Sequence, residues 1–360
     1  MPILSVKCFS KLTLPECRPT FNSFETHPND FLLLTYWRVT MPLMFDLPLE
    51  QLYTYQGSSP RPADVDAYWD RNLAEMRALD ARVELVPAKF QAPFAECFHL
   101  YFTGLGGARV HAKLLRPKNR QGSGPAVVMF HGYSGDSGDW VGKLPYVAAG
   151  YTVAALDCRG QAGLSNDAGG TTGVTLRGHI IRGVEDGPEK LYYRGVFADT
   201  AQLTFLVMGM PGVDPARVGA TGGSQGGGLT LACAGLVPEL KKAAPIFPFL
   251  SDYKRVWSMD LAENAYAELR EYLRWRDPTH ANAEQFWNTL GYIDIQNLAG
   301  RVRSEIYMAV GLMDKICPPS TQFATYNKIT AAKRLEIYPD FGHEGLKGHD
   351  DRVFQYLMEL

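Results

Sequence analysis

The chain has 360 residues, with 36 Lys plus Arg against 38 Asp plus Glu, so its formal charge of -2 carries neither the basic footprint of a nucleic-acid binder nor an acidic tail. Hydrophobic residues at 46% and charged residues at 21% match a folded globular protein and exclude disorder, collagen or coiled coil as descriptions of the whole. The length allows one large α/β unit or two smaller domains.

Cys8, Cys17, Cys97, Cys158, Cys233 and Cys317 are scattered without a C-x-x-C pair, so reduced thiols and a cytoplasmic protein are expected rather than a disulfide framework. The longest purely apolar runs, such as 31–34, fall far short of the ~18 residues needed to cross a bilayer, and no membrane association is expected. The N-terminus lacks the compact apolar stretch and cleavage site of a secretory signal.

Residues 1–40 show no sustained period, and Pro2, Pro15, Pro19 and Pro28 interrupt them, which predicts a loose extension. Met41 opens a different texture and is a candidate start of the folded part; residues 62–76 carry helical spacing with early acidic residues. Strands are expected at 83–88, 97–103, 109–115 and 126–130, then a helix near 140–149 and a strand at 151–157. A Gly-rich loop follows over 159–187, and a helix near 196–209 precedes the strand 217–221 and a helix over 229–237. After a strand at 243–250, residues 251–300 keep helical spacing with no strand signal, so they form a helical insertion. The rhythm resumes with a strand at 305–310, a helix near 319–330, a strand at 334–338 and a last helix near 350–358. Alternating buried strands and helices mean parallel strands with crossovers.

Gly222-Gly223-Ser224-Gln225-Gly226 matches G-x-S-x-G between a strand and a helix, the context of a nucleophile elbow. A bland alternative is a tight connection capped by Ser224. A serine hydroxyl needs a positioned base, and the base needs an acid to fix its tautomer. Asp314, just past the strand 305–310, and His343, past the strand 334–338, complete the order Ser, Asp, His of the α/β-hydrolase fold. That fold is a mostly parallel central sheet with helices on both faces, here with the helical insertion before the acid. Asp340 is a rival acid but shares a loop with His343, and His349, beside Asp350, has the setting of a solvated histidine. A metal site of His343, Glu344 and His349 lacks the H-E-x-x-H spacing, so no metal is expected. His131-Gly132-Tyr133 follows the strand 126–130, so the backbone N–H groups of Tyr133 and Gln225 are the expected oxyanion donors. For His131 itself a structural and a catalytic role stand side by side, and Ser134 and Ser137 are loop residues.

Together Arg159-Gly160-Gln161, Gly222-Gly-Ser224-Gln225-Gly226 and His343-Glu344, with the Asp314 loop and the opening Met41-Pro-Leu-Met-Phe-Asp-Leu-Pro-Leu-Glu, resemble the acetyl xylan esterases and cephalosporin C deacetylases of carbohydrate esterase family seven. The resemblance runs from about Met41 to the C-terminus and gives the first 40 residues no counterpart. It implies a cofactor-free esterase acting on acetylated xylo-oligosaccharides and small acetyl esters such as cephalosporin C. It also implies an intracellular homo-hexamer, a trimer of dimers whose active sites face a central cavity. Ser224 would be nucleophile, His343 base and Asp314 acid, with Tyr133 and Gln225 at the oxyanion hole. Arg159, Gln161 and Glu344 would brace loops, the first two being open to a plainer reading as a hydrogen-bonded turn after a strand. A hydrolase of other selectivity, such as a peptidase or larger-acyl esterase, and a catalytically silent binding protein are the alternatives.

Overall fold

The computed structural model describes residues 45–169 and 172–360; the extension expected over 1–40 and the start at Met41 lie outside the described residues. Nine strands form one sheet: β1 (Glu84–Pro87), β2 (Ala95–Thr103), β3 (Arg109–Pro117), β4 (Gly124–Phe130), β5 (Thr152–Asp157), β6 (Val213–Gly223), β7 (Lys242–Ile246), β8 (Glu305–Gly311) and β9 (Lys333–Tyr338). Their order is β1-β2-β3-β5-β4-β6-β7-β8-β9. The strands from β5 to β9 along that order are mutually parallel, whereas β1, β2 and β3 run as an antiparallel meander joined to β5. The sheet is thus mostly parallel, as expected, and the first three strands form a meander because the turns between them are too short for a helical crossover.

Helices are α1 (Leu49–Leu52), α2 (Val65–Ala78), α3 (Leu144–Ala148), α4 (Tyr192–Met208), α5 (Gln225–Leu236), α6 (Tyr253–Ser258), α7 (Ala267–Arg276), α8 (Ala283–Leu290), α9 (Pro319–Lys328) and α10 (His349–Leu357). Successive strand residues point to opposite faces, so Val128, Ala154 and Ala243 pack with α2, α4, α5 and α9, while Val127, Val153 and Ala244 pack with α3 and α10. Both faces are apolar, which is why the parallel strands lack polar alternation. Three helices, α6, α7 and α8, lie in the segment between β7 and β8 together with short 3-10 turns, in the stretch where the sequence shows no strand signal. No helix of the described residues is long and apolar enough to cross a membrane.

Two of the boundaries that differ from the sequence expectation bear on the site. Helix α5 begins at Gln225, not near 229, because Gly226, Gly227 and Gly228 lie inside it. Glycine is a poor helix former, but here tertiary packing overrides propensity: a Cβ on Gly226 would run into the Phe130 carbonyl, and one on Gly228 into that of Phe249. Strand β7 ends at Ile246, short of 250, because Phe247 takes a φ of 31° and Pro248 has no N–H for a ladder. The chain then turns back over the sheet end, where the Phe247 N–H donates to Ala309 O at 2.8 Å and the Phe249 N–H to Ser224 O at 3.0 Å.

Candidate active site

Ser224 occupies the turn between β6 and α5 with φ 58° and ψ -120°, a conformation that side chains rarely adopt. The surrounding contacts hold it there. Its N–H donates to Ile246 O at 3.0 Å, and its carbonyl accepts from the Gly228 and Phe249 N–H groups, each at 3.0 Å. The strain projects the hydroxyl beyond the C-terminal edge of the sheet, at the head of the α5 dipole.

The loops after β8 and β9 converge on this hydroxyl. His343 Nε2 lies 2.9 Å from Ser224 Oγ, and His343 Nδ1 lies 2.8 Å from Asp314 Oδ2. Asp314 is fully buried, and its other oxygen accepts the Ile316 and Cys317 N–H groups at 2.9 and 2.8 Å. The carboxylate therefore has one free oxygen direction, and it faces the imidazole. His343 keeps 21% of its side chain exposed, with the Phe247 ring 4.7 Å from its own. Asp340 is exposed and has no side-chain hydrogen bond or ion pair among the described residues.

Asp314, Cys317 and His343 also place a carboxylate oxygen, a sulfur and a ring nitrogen within 4.8 Å of one another. A metal there would need a thiolate, and burial, then the Asp314 carboxylate, push the Cys317 thiol up. In this structure the Asp314 and His343 atoms of the cluster are joined by the hydrogen bond at 2.8 Å. His349 departs from the solvated setting expected of it. It is buried at 1% exposure, receives the Tyr338 hydroxyl at 3.2 Å, and burial lowers it to about 4.

Gln225 opens α5, so its N–H has no earlier helical turn to accept it, and the Tyr133 N–H has no protein acceptor among the described residues. The neighbouring side chains hold the two amides in relation. Gln225 Nε2 donates at 3.3 Å to the carbonyls of His131 and Gly132, while the Gln225 and Gln161 amides bond each other at 2.9 and 3.1 Å. Gln161 also accepts the Ser134 N–H at 2.9 Å. His131 uses both ring nitrogens, bonding Gly132 O at 2.7 Å and accepting the Cys158 N–H at 2.9 Å, and burial lowers its pKa. Those bonds engage both of its ring nitrogens and tie the loop after β4 to the loop after β5.

Arg159 grips Asp199 of α4 with Nε to Oδ2 at 2.8 Å and Nη2 to Oδ1 at 2.6 Å, and its Nη1 donates to Leu105 O at 2.9 Å. Glu344 is exposed and accepts the Gly342 N–H at 3.1 Å, inside its own loop. One feature the sequence does not disclose is Glu268 on α7. Its buried carboxylate receives the Tyr133 hydroxyl at 2.5 Å and the Ile180 and Ile181 N–H groups at 2.8 and 3.1 Å. Burial raises its pKa, and burial with Glu268 raises that of Tyr133. The only sequence signal for Glu268 is a charge on a helix, which ordinarily faces water.

Residues 41–360 match the model of the acetyl xylan esterase (AXE1) family. A curated acetyl esterase of Xylanibacter ruminicola is 26% identical over 288 residues, covering 77% of this chain; the chain spans 62% of that relative's length. The crystal structure of acetyl xylan esterase 1 from Thermoanaerobacterium sp. JW/SL YS485 is 54% identical with a TM-score of 0.85, covering 87% of this chain and 99% of its own. An acetyl xylan esterase from Paenibacillus sp. R4 is 35% identical with a TM-score of 0.80 over the same shares. Oligopeptidase B from Leishmania major, at 17% identity and a TM-score of 0.54 over 76% of this chain and 36% of its own, shares the fold alone. With a family match over nearly nine-tenths of its length and an α/β-hydrolase sheet ending in the expected loops, the chain belongs to the acetyl xylan esterase family.

Proposed function

We propose that this chain is a serine esterase that removes acetyl groups from acetylated xylo-oligosaccharides and from small acetyl esters such as cephalosporin C, through an acetyl-Ser224 intermediate. The observation that carries the reading is the unbroken relay from Asp314 Oδ2 through His343 to Ser224 Oγ at 2.8 and 2.9 Å. In the first half-reaction His343 Nε2 takes the hydroxyl proton as Ser224 Oγ bonds to the acetyl carbon. The carbonyl oxygen becomes an oxyanion facing the Tyr133 and Gln225 N–H groups. As the tetrahedral species collapses, the C–O bond to the sugar breaks and His343 returns its proton to the sugar oxygen. In the second half-reaction water adds to the acetyl carbon, again losing its proton to His343; acetate leaves and Ser224 regains its hydrogen. Asp314 holds Nδ1–H in the required tautomer and stabilises the imidazolium. Arg159, Gln161 and Glu344 brace loops, and the cycle uses no metal or organic cofactor.

The family resemblance also supports residues 41–360 as one hydrolase domain with an insertion at 251–300 and a separate extension at 1–40, a cytoplasmic location, and a homo-hexamer. The test is intact-mass analysis after fluorophosphonate labelling, with the adduct mapped to Ser224, beside acetate release from acetylated xylan fragments. Labelling and turnover that survive Ser224→Ala, or a preference for octanoate over acetate esters of one chromophore, would overturn the assignment.

A further inference from the structure

Asp157 is the last residue of β5, at the sheet edge where the loops after the parallel neighbours β4 and β5 begin. In the antiparallel ladder with β3 it stands directly opposite His111, and Tyr101 of β2 stands opposite His111 on the other side. That register puts His99, two residues before Tyr101, on the diagonal from His111 and on the same face of the sheet. The three side chains form a row. His111 Nδ1 lies 2.7 Å from Asp157 Oδ2, and His111 Nε2 lies 2.8 Å from His99 Nδ1. A carboxylate only accepts, so His111 Nδ1 carries the hydrogen of the first bond, and one further hydrogen lies between the rings. His111 is fully buried and Asp157 nearly so, whereas His99 is half-buried.

The remaining bonds of the carboxylate connect this row with the chemistry. Asp157 Oδ1 accepts the Ser137 N–H at 2.6 Å, in the loop after β4 that also carries Tyr133. Its Oδ2 accepts the Leu164 N–H at 2.8 Å, in the loop after β5 that also carries Gln161. Ser165 completes the anchor, its hydroxyl donating to Asp157 O at 2.6 Å and accepting the His111 N–H at 2.7 Å. The loop after β5 passes so close that a Cβ on Gly163 would lie 2.1 Å from Asp157 Cγ. Burial alone would raise the Asp157 pKa, but the hydrogen bond and charge of His111, with the Leu164 and Ser137 N–H groups, lower it, so the group stays an anion. The two loops it ties are joined again by the Ser134 N–H on Gln161 and by the paired amides of Gln161 and Gln225. Asp157 therefore fixes the loop of one candidate oxyanion amide relative to the side chain beside the other.

We infer that Asp157, His111 and His99 form a second relay, separate from that of Asp314, His343 and Ser224, which positions the loop after β4 for its Tyr133 N–H to serve the oxyanion. All three are positioning residues, and the inference rests on the esterase reading above. The experiment measures kcat and KM for a small chromogenic acetyl ester in wild type, His99→Leu and His99→Asn, well below the melting temperature of each. Leucine removes the partner of His111 Nε2, whereas asparagine keeps a side-chain amide at the place of Nδ1. The leucine variant should lose roughly tenfold in kcat with KM held within about twofold, inside the ~10² that a displacement of about 1 Å costs, and the asparagine variant should stay within about twofold of wild type in both. A leucine variant with the wild-type kcat, a loss confined to KM, or an asparagine variant as slow as the leucine one overturns the inference. The proton spectrum checks the relay without turnover: a His343→Ala variant should retain a low-field imidazole N–H signal from the His111 bond to Asp157, and its absence overturns the relay. A wild type that releases no acetate overturns the esterase reading, and the purpose of the relay with it.

Discussion

Replacing Arg159 with methionine should be among the most destabilising single changes in the molecule, and the structure supplies the magnitude. Arg159 is 4% exposed and Asp199 not at all. The Asp199 carboxylate has no hydrogen-bond donor other than Arg159 among the described residues. The change strands a buried carboxylate, a situation that costs about 3–5 kcal/mol, or a fall in Tm of roughly 4–7 °C for a chain of this size. Replacing both partners, as in Arg159→Met with Asp199→Leu, leaves no charge to strand and should recover most of the loss. A pH signature follows as well. Burial already raises the Asp199 pKa, and losing the guanidinium raises it further. A carboxyl with a raised folded pKa contributes stability that is complete below its unfolded value and is lost as pH rises through the folded one. The single variant should therefore be more destabilised at pH 8 than at pH 5. Calorimetric melts of wild type, both singles and the double at one scan rate measure this. A double variant as unstable as the sum of its singles, or a flat difference between pH 5 and 8, would refute the reasoning.

Asp314→Asn should lower kcat for acetate release about 10⁴-fold by favouring the wrong imidazole tautomer, while Asp340→Asn stays within about twofold; comparable losses would reassign the acid. Glu268→Gln replaces three charge-assisted hydrogen bonds with neutral ones, and should cut kcat/KM on a small acetyl ester about tenfold; an unaffected rate would separate Glu268 from the loop after β4. Burial lowers His179 and His349 to about 4, so each is kept neutral by folding, and stability complete above the ordinary pKa of 6.5 is lost as pH falls toward 4. Asp294 works in the opposite sense: burial and Asp252 raise it to about 7, so its folded form gains stability on the acid side and loses it as pH rises from 3.8 to 7. Melts between pH 4 and 7 should thus flatten in a His179→Phe/His349→Phe variant and steepen toward acid in Asp294→Asn; unchanged slopes would sink both assignments.

The parallel strands were legible because both faces are covered and their apolar runs are uninterrupted, as in Val127-Val128 and Ala154-Ala155. The loops carrying Ser224, Asp314 and His343 were legible because each follows such a run. The start of α5 was not, since three glycines argue locally against a helix and it is the carbonyls of Phe130, Ile246 and Phe249, outside the helix, that demand them. The partnerships of Arg159 with Asp199, 40 residues on, and of Glu268 with Tyr133, 135 residues back, leave no periodic trace at all. His349 misled because a histidine beside an aspartate at a helix start is polar by composition; its burial comes from Tyr307 and Tyr338, whose rings lie 5.3 and 5.7 Å away.

Glu268 joins three parts that a protein engineer would prefer to adjust separately: the insertion, the loop near residue 180 and the Tyr133 ring on the loop after β4. Widening the mouth for a bulkier acyl group by shifting α7 would swing that ring too. Variants selected for roomier substrates should accordingly turn over slowly until a second change frees the tyrosine from its carboxylate, so that breadth and speed are traded through one side chain.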